Sequence, residues 1–557
     1  MTSNRHPQKP FERLLIVGAG PSGLLLAILL AQHNIPCLVL EAYPYLDTRL
    51  RATQYGVPAT RIFRRAGLLP DFRKASIPKF PSICWRRVAD GEKLIEIDMS
   101  VVENEEDRMT VLPLGEIIQI MYRHVEEKYA GLIKVRFNHK VTSTGQNDKQ
   151  AWVDVDIGNQ EAGEDIKQDR ITADYIIGCD GAGSAVRRSL YGKDWPGQTF
   201  SCRFMVQNVF YEGFKKYGWD AGNYMIDHDH WGLIAKRGYV EGQGDLWRVT
   251  YGDPAVGLTD EEYLARRPWH FKAMLPGKPD PEQYRVEQTN IYNIHNRCVD
   301  SFKVGRILLA ADAAHVCNPM GGYGCMTACL DVGGLADCLI GYFEGQAGEE
   351  ILETYAKVRR DIFLRYVDAR SIENLERVRS GDPWTVKETD KFFGILQDLN
   401  AKGKDSLKEF LLKVSSIEYD FTQHYNRFSI LNHLDSRESF EDATRQALGP
   451  HDFMQFQIFP HGEWMNLFGV GDRRQVVRIV FGNPLIAITM LKHDSTAGLF
   501  VPVEALLVER EDRRGTDVVQ IKPSTLIAAR EDSGEELMKA AEVLDGKLEA
   551  LWEWVAE

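Results

Sequence analysis

The segment RLLIVGAGPSGLLLAILLAQHNIPCLVLEA, residues 13–42, restricts the fold more than any other part of the chain. Leu14 to Val17 is a continuous apolar run that reads as a buried strand. Gly18, Gly20 and Gly23 follow at G-x-G-x-x-G spacing, an apolar helix comes next, and a second strand, PCLVLE, ends in Glu41. This is one complete βαβ unit, and each part has a separate physical task. Gly18 makes the tight turn, Gly20 lets backbone approach a pyrophosphate, and Gly23 lets the helix pack on the strand. The helix N-terminus then holds phosphate while Glu41 accepts hydrogen bonds from a ribose. A tight turn in an ordinary α/β domain would account for the glycines but not for the acid that closes the second strand.

Two distant segments repeat the same logic of an apolar strand running into an acid and small residues. In ADYIIGCDGAGSAVRRSL, residues 173–190, the strand meets Asp180, Gly181 and Gly183. In RILLAADAAHVCNPMGGYGCMTACLDVGGLADCL, residues 306–339, it meets Asp312 and then a turn with Gly321, Gly322 and Gly324. Ligands of parallel sheets bind outside the carboxyl ends of the strands, so three such ends on neighbouring strands would converge on one long ligand.

Composition removes other classes. At 557 residues the chain implies about two to four domains. Acidic residues outnumber basic ones, 80 to 67, and no basic block interleaved with aromatics marks a nucleic-acid groove, so nucleic acid is not an expected partner. Nine cysteines without a C-x-x-C pair, behind an N-terminus with no apolar signal core, read as reduced thiols in the cytoplasm. The strongest apolar run, GLLLAILLAQ, is shorter than the roughly 18 residues that span a bilayer, so no membrane span is expected.

The glycine fingerprint, CDGAGSAVRRSL and GRILLAADAAHVCNPMGGYG, followed by LETYAKVRRDIF, resemble in order the signatures of the single-component FAD-dependent aromatic hydroxylases, the class of para-hydroxybenzoate hydroxylase and phenol hydroxylase. The resemblance covers roughly residues 10 to 375. It implies an α/β fold with a Rossmann-like FAD-binding domain built from residues 1–190 and 300–380, and an antiparallel β-sheet substrate domain at 191–299. It places Glu41 on the adenosine ribose, Arg51 on the pyrophosphate, Asp180 in the second FAD signature, Asp312 on the ribityl chain, and the turn with Gly322 and Gly324 at the edge of the flavin ring. Pro319 would shape the substrate cavity by its backbone. The chain departs from the family at Ala311 and Ala328, where glycine is usual, at Met326, where asparagine is usual, and at Leu114, where a polar residue is usual. Alanine for glycine costs little where the backbone is helical or extended.

The segments TFSCRFMVQNVFY, NYMIDHDHWGLIAKR and LWRVTYG read as a half-buried antiparallel sheet that would roof the cavity. Tyr224, His230, Trp247 and Arg203 are candidates for its walls, with Tyr224 and His230 the candidate catalytic groups; strand parity alone does not fix which face each takes. His228 and His230 of DHDHW would share one face of a strand, but two more ligands are missing and no metal is expected. Cys325 and Cys329, four apart on a helix, read as packing.

Residues 381–419 read as a helical connector. Residues 420–557 form a separate small α+β pattern that resembles a bacterial family of unknown function through Gly482-Asn483-Pro484, LFVPVEALLVE and KPSTLIA. Its final helix presents Leu548, Leu551, Trp552 and Val555 as an apolar face that needs a partner, the hydroxylase body or a second copy in a homodimer.

The resemblance implies a monooxygenase using a small aromatic substrate, O2 and NADPH as cosubstrate, in which a C4a-hydroperoxyflavin passes its distal oxygen to a phenol. The single dinucleotide fingerprint provides no second nucleotide domain, so NADPH would bind transiently. Baeyer–Villiger or decarboxylative oxygenation by the same peroxide, and a flavin-fold protein that binds without catalysis, are the alternatives. Halogenation is not favoured: the only W-x-W, Trp552 to Trp554, lies in the last helix without the W-x-W-x-I-P continuation.

Overall fold

The computed structural model describes residues 9–556 apart from 50, 78–79, 160–161, 164, 414, 426–435, 463–464, 466–467, 471, 473 and 529–533. The chain divides into two compact bodies. The larger comprises residues 11–336 and 352–419, the smaller residues 1–10, 337–351 and 420–557.

In the larger body a six-stranded sheet runs Lys303–Val304, Ile307–Leu309, Tyr175–Gly178, Leu14–Val17, Cys37–Leu40, Ile133–Arg136. All pairs are parallel except the first. The four strands from Ile307–Leu309 to Cys37–Leu40 have almost every side chain buried, which is why they read as unbroken apolar runs rather than alternating ones. Val17 pairs with Gly178, and Gly178 with Leu309. The three motif-bearing strand ends are therefore adjacent, as their shared pattern predicts.

The second sheet has eight strands in the order His315–Val316, Arg285–Cys298, Gly197–Phe210, Gly244–Asp253, Gly232–Val240, Gly222–Ile226, Ser82–Arg87, Lys93–Asp98. It extends beyond the expected 191–299 segment, because Gly222–Ile226 pairs in parallel with Ser82–Arg87 from the N-terminal part. The helices of 381–419 are not a connector. Val386, Phe393, Leu396 and Leu407 are buried against Trp85, Ile95 and Ile97 of this sheet, so they close one of its faces.

The longest apolar helix is Tyr323–Phe343, not the fingerprint helix. It is long and apolar enough to cross a membrane by length and composition, yet 78% of its apolar window is buried in the protein. Its interior Asp331 explains why it belongs in a protein core where a cation can meet it.

In the smaller body four antiparallel strands run Met454–Pro460, Val476–Gly482, Val503–Glu509, Thr516–Val519, and the helix Glu535–Ala556 packs Leu537, Ala541, Leu544 and Leu548 into the core with Phe481, Met490 and Val503. The GNP turn has a local reason. Asn483 caps the helix Pro484–Leu491 by accepting from the Leu485 N–H at 2.8 Å, and its own amide donates to the Asp452 carbonyl at 2.8 Å.

The condition under which alanine replaces glycine at little cost is not met at Ala311: its φ is +57°, the left-handed region that costs an L-residue with a Cβ about 1–2 kcal/mol. Ala311→Gly is expected to raise the unfolding free energy by about 1 kcal/mol, read as a higher urea midpoint at unchanged slope. A lower midpoint would show that the buried methyl group contributes more than the strain removes.

Candidate functional site

At the first strand end, Gly18 turns with φ +102° and its N–H donates to the Leu40 carbonyl at 2.7 Å. A Cβ on Gly18 would lie 2.6 Å from the Cys179 carbonyl oxygen, and one on Gly23 would lie 2.0 Å from the Gly18 oxygen. Packing within the protein therefore accounts for both. Gly20 differs: nothing lies within 4 Å of the place its Cβ would take. It stands at the start of the helix Pro21–Ala31, which has no side-chain cap. Bare backbone and uncapped N–H groups facing open space fit a phosphate arriving from outside. Glu41 ties the turn together, accepting from the Ala19 N–H at 2.9 Å and the Tyr43 N–H at 3.0 Å. Burial pushes its carboxyl above the ordinary value, and these backbone donors offset only part of that rise.

At the second strand end Asp180 is committed internally. Its carboxylate accepts from Ser184 Oγ at 2.5 Å, the Ala185 N–H at 2.7 Å and the Val186 N–H at 3.3 Å. It builds the turn instead of offering a free oxygen. Arg187 joins this turn to the third, donating to the Ala182 carbonyl at 2.7 Å and the Ala313 carbonyl at 3.4 Å.

At the third strand end Asp312 is exposed to solvent, with the surrounding protein dense behind it. That crowding pushes its carboxyl up; His315 and Arg51 pull it down. Arg51 is thus within electrostatic reach of Asp312, as the resemblance implies. In the following turn Gly321 has φ +96°, and a Cβ there would meet Asn374 at 2.4 Å. Gly322 and Gly324, like Gly20, border open space. Met326 lies across from Gly56, whose hypothetical Cβ would be 3.1 Å from the Met326 sulfur.

The brace behind Asp312 has no counterpart in the sequence reading. Asp331, wholly buried, accepts from the Ala311 N–H at 3.1 Å, from His315 Nε2 at 2.6 Å and from Arg359 Nε at 2.7 Å. Arg359, also buried, donates to the Ile417 carbonyl at 2.7 Å and Thr327 Oγ1 at 3.0 Å. Burial alone would raise the Asp331 carboxyl, but His315 and Arg359 outweigh it and hold it below its ordinary value. A lone acid inside an apolar helix, with Arg359 in a later one, was the available signal.

The sheet separates the other candidates. Tyr224 stacks on Trp85 with centroids 5.0 Å apart, and its hydroxyl is within hydrogen-bonding reach of the Gly321 backbone, next to half-buried Pro319. His230 is not there. Asp227–His230 is a turn, with Asp227 Oδ1 accepting from the Asp229 and His230 N–H groups, each at 2.9 Å, so His228 and His230 do not share a strand face. The His230 ring meets His270 Nδ1 at 3.1 Å and packs on Trp269. Trp247 stacks on Phe214 at 4.3 Å, and Arg203 pairs with exposed Asp260 at 2.5 Å. Strand parity turns Trp247 and Arg203 to the face away from Tyr224, and the Asp227 turn carries His230 off the strand altogether.

The Tyr224 face holds two arginines that sequence reasoning missed. Asn208 and Arg248 are register partners, and Asn208 Oδ1 accepts from Arg237 Nη1 at 3.1 Å and from Arg248 Nε and Nη2 at 3.4 Å. Arg248 also donates to the Arg51 carbonyl. Burial first, then repulsion from Arg237, push the buried Arg248 guanidinium down to about 9. A guanidinium keeps its proton in proteins, so the depression marks a cation without a counter-ion. Among the described residues no carboxylate forms an ion pair with Arg237 or Arg248.

Residues 13–370 match the family described as FAD binding domain, and residues 432–551 match Domain of unknown function DUF302. The chain is 34% identical over 384 residues to para-nitrophenol 4-monooxygenase of Pseudomonas sp. strain WBC-3, covering 69% of this chain and 91% of that one. It is 30% identical over 375 residues to 6-hydroxy-3-succinoylpyridine 3-monooxygenase of Pseudomonas putida, covering 67% and 90%. The crystal structure of p-nitrophenol 4-monooxygenase from Pseudomonas putida DLL-E4 superposes with a TM-score of 0.64 at 31% identity, covering 73% of this chain and 98% of that one.

Asp331→Ala would leave Arg359 buried without its counter-charge and free the Ala311 N–H. It is expected to cost about 3–5 kcal/mol of unfolding free energy, measured by urea denaturation. A loss under 1 kcal/mol would show that the brace is dispensable.

Proposed function

The chain belongs to the FAD binding domain family and is a flavin-dependent aromatic monooxygenase; from that premise we propose that it uses NADPH and O2 to hydroxylate a phenol that carries a second, anionic or nitro group. The observation that carries the substrate class is Arg248, a buried cation on the Tyr224 face whose hydrogen-bond acceptors, Asn208 Oδ1 and the Arg51 carbonyl, are both neutral; half-buried Arg237 beside it lies within electrostatic reach of Glu116 and Glu287. A buried cation without a partner is costly, and an incoming anion or nitro group supplies the missing acceptor. The names of the two relatives are consistent with this, since nitrophenol and hydroxy-succinoylpyridine each join a hydroxyl to an oxygen-rich substituent. NADPH as the reductant rests on the family resemblance.

The open glycine turns at Gly20, Gly322 and Gly324, with Asp312 and Arg51, fit FAD: bare backbone for phosphates and a flat ring, a carboxylate for hydroxyls, a cation for the pyrophosphate. Bound there and reduced, FAD supplies activated oxygen for transfer of one atom to the substrate ring. The protein's part is orientation and proton control. Arg237 and Arg248 hold the substituent at one end of the ring, which directs the phenol oxygen toward Tyr224 and the Pro319–Gly322 turn. Burial pushes the Tyr224 hydroxyl up to about 12, so it keeps its proton through neutral and mildly alkaline pH. It acts as a donor that stabilises a phenolate, the form that activates the ring carbons ortho and para to oxygen.

The test is NADPH oxidation and incorporation of labelled O2 across a panel of phenols with and without carboxylate or nitro groups. Substituted phenols are expected to stimulate oxidation and gain a ring hydroxyl; an ester product would assign the Baeyer–Villiger alternative. Arg248→Met should raise KM for substituted phenols about 10–100-fold, the loss of one charged hydrogen bond of about 1.5–3 kcal/mol, and leave unsubstituted phenol unaffected. Equal effects on both would overturn the substrate assignment. Because Tyr224 stays protonated to about pH 12, the alkaline side of the kcat/KM profile should move with the pKa of the substrate phenol. A profile fixed across phenols of different acidity would contradict the donor role.

A further inference from the structure

The helix Glu350–Ile362 continues as a π turn, Phe363–Asp368, and then as the helix Ala369–Arg379. Arg359, Phe363, Val367, Ser371 and Leu375 are all buried. They recur every four residues, more than the 3.6 of an α-helix, and the wide turn takes up the excess. One helix side thus carries two polar anchors. Arg359 reaches Asp331, and Asp368 Oδ1 accepts from Asn296 Nδ2 at 2.7 Å. Ser371 Oγ accepts from the same amide at 2.9 Å and donates to the Asp368 carbonyl at 2.9 Å. Asn296 is buried and its amide has no spare capacity, since Oδ1 accepts from the Asn318 N–H at 2.8 Å and from Asn318 Nδ2 at 3.1 Å. Asn318, wholly buried, accepts in turn from the Met320 N–H at 3.1 Å. Pro319 has no N–H to anchor it and is instead clasped from both sides. Asn374, three residues beyond Ser371, lies against Gly321, so the same helix face backs the rest of the turn.

We propose that Asp368 is a positioning residue for oxygen transfer: through Asn296 and Asn318 it fixes the backbone of the Pro319–Gly322 turn against the flavin ring and the substrate. The inference rests on the reading of the chain as a phenol monooxygenase in which this turn borders both. Asp368 touches neither reactant and acts only through the chain of hydrogen bonds. Transfer needs the ring carbon and the activated oxygen within reach, and a misplacement of about 1 Å costs on the order of a hundredfold in rate. In the coupled reaction NADPH, H+, O2 and the phenol give NADP+, water and the hydroxylated phenol. In the uncoupled one NADPH, H+ and O2 give NADP+ and hydrogen peroxide, both electrons of NADPH ending on O2, and the phenol leaves unchanged. A loosened turn shifts turnover from the first to the second.

The test compares Asp368→Ala, which removes the acceptor, with Asp368→Asn, which keeps an acceptor oxygen and drops the charge, in the FAD-loaded full chain. Two quantities are read: the visible absorption bands of the bound flavin, and the ratio of peroxide to hydroxylated product with 4-nitrophenol. Asp368→Ala should displace the bands and raise the ratio about tenfold, the loss of one hydrogen bond to a charged group. KM should stay close to wild type, because Arg248 still holds the substituent. Asp368→Asn should restore both readings. Ser371→Ala removes the other acceptor of the Asn296 amide without a change of charge; it should move both readings the same way by less, and it decides the matter if Asp368→Ala does not fold. Wild-type bands and ratio in folded Asp368→Ala, or equal defects in Asp368→Ala and Asp368→Asn, would overturn the positioning role and leave the monooxygenase reading standing. If the wild type leaves 4-nitrophenol unhydroxylated, the failure lies with the substrate reading, and the flavin bands alone decide the clasp: displaced in Asp368→Ala and restored in Asp368→Asn they support it, unmoved in both they overturn it.

Discussion

The rest of the site depends on one buried anion. Asp331 is removed from water in the middle of an apolar helix, and a lone carboxylate there would be untenable. It is tolerated because His315 and Arg359 approach both of its oxygens and because the Ala311 N–H adds a third donor. That last bond matters for more than charge. It holds Ala311 in a left-handed conformation that alanine resists, and this conformation turns the chain so that Asp312 faces the cleft. The helix Tyr323–Phe343, the helix containing Arg359 and the strand end before Asp312 are locked together by three side chains. His315 is fixed in turn between the rings of Phe302 and Phe363, at 5.4 and 4.3 Å.

Glycines around the cleft divide into two physical kinds. Gly18, Gly23 and Gly321 are glycine because the protein itself fills the space a side chain would need. Gly20, Gly322 and Gly324 are glycine where the protein leaves space empty. Only the second kind says anything about a ligand: Gly20 follows the strand Leu14–Val17, and Gly322 and Gly324 lie at the start of the helix Tyr323–Phe343. Asp180 belongs to the structural side of the same division: its signature resembles a cofactor contact, yet its oxygens are taken by Ser184, Ala185 and Val186.

The eight-stranded sheet does two jobs on its two faces. One face presents Tyr224, Asn208 and Arg248. The other packs Met205, Met225, Trp247 and Tyr251 under the helix Arg267–Met274, where His270 bridges His230 and Asp253. Burial would raise the Asp253 carboxyl, but His270 and Arg266 hold it far below the ordinary range, so this polar cluster secures the outer face at neutral pH.

The amino-acid sequence by itself determined the nucleotide-binding half: the βαβ unit, the adjacency of three strand ends, the open turn at Gly322 and Gly324, and a separate C-terminal body. These were legible because glycine at a forced turn, an acid at a strand end and an unbroken apolar run are requirements of local backbone geometry, written in consecutive residues. Tertiary structure alone decided that Tyr224 faces the Gly321 turn while His230 and Trp247 do not, that Arg237 and Arg248 meet at Asn208, and that Asp331 is answered by Arg359, 28 positions away. The reason is physical. Side chains alternate along a strand with period two, a turn at Asp227 and a register shift between Lys236 and Gly238 reset that alternation, and the partner of a buried charge is chosen by packing in space, where sequence spacing leaves no mark.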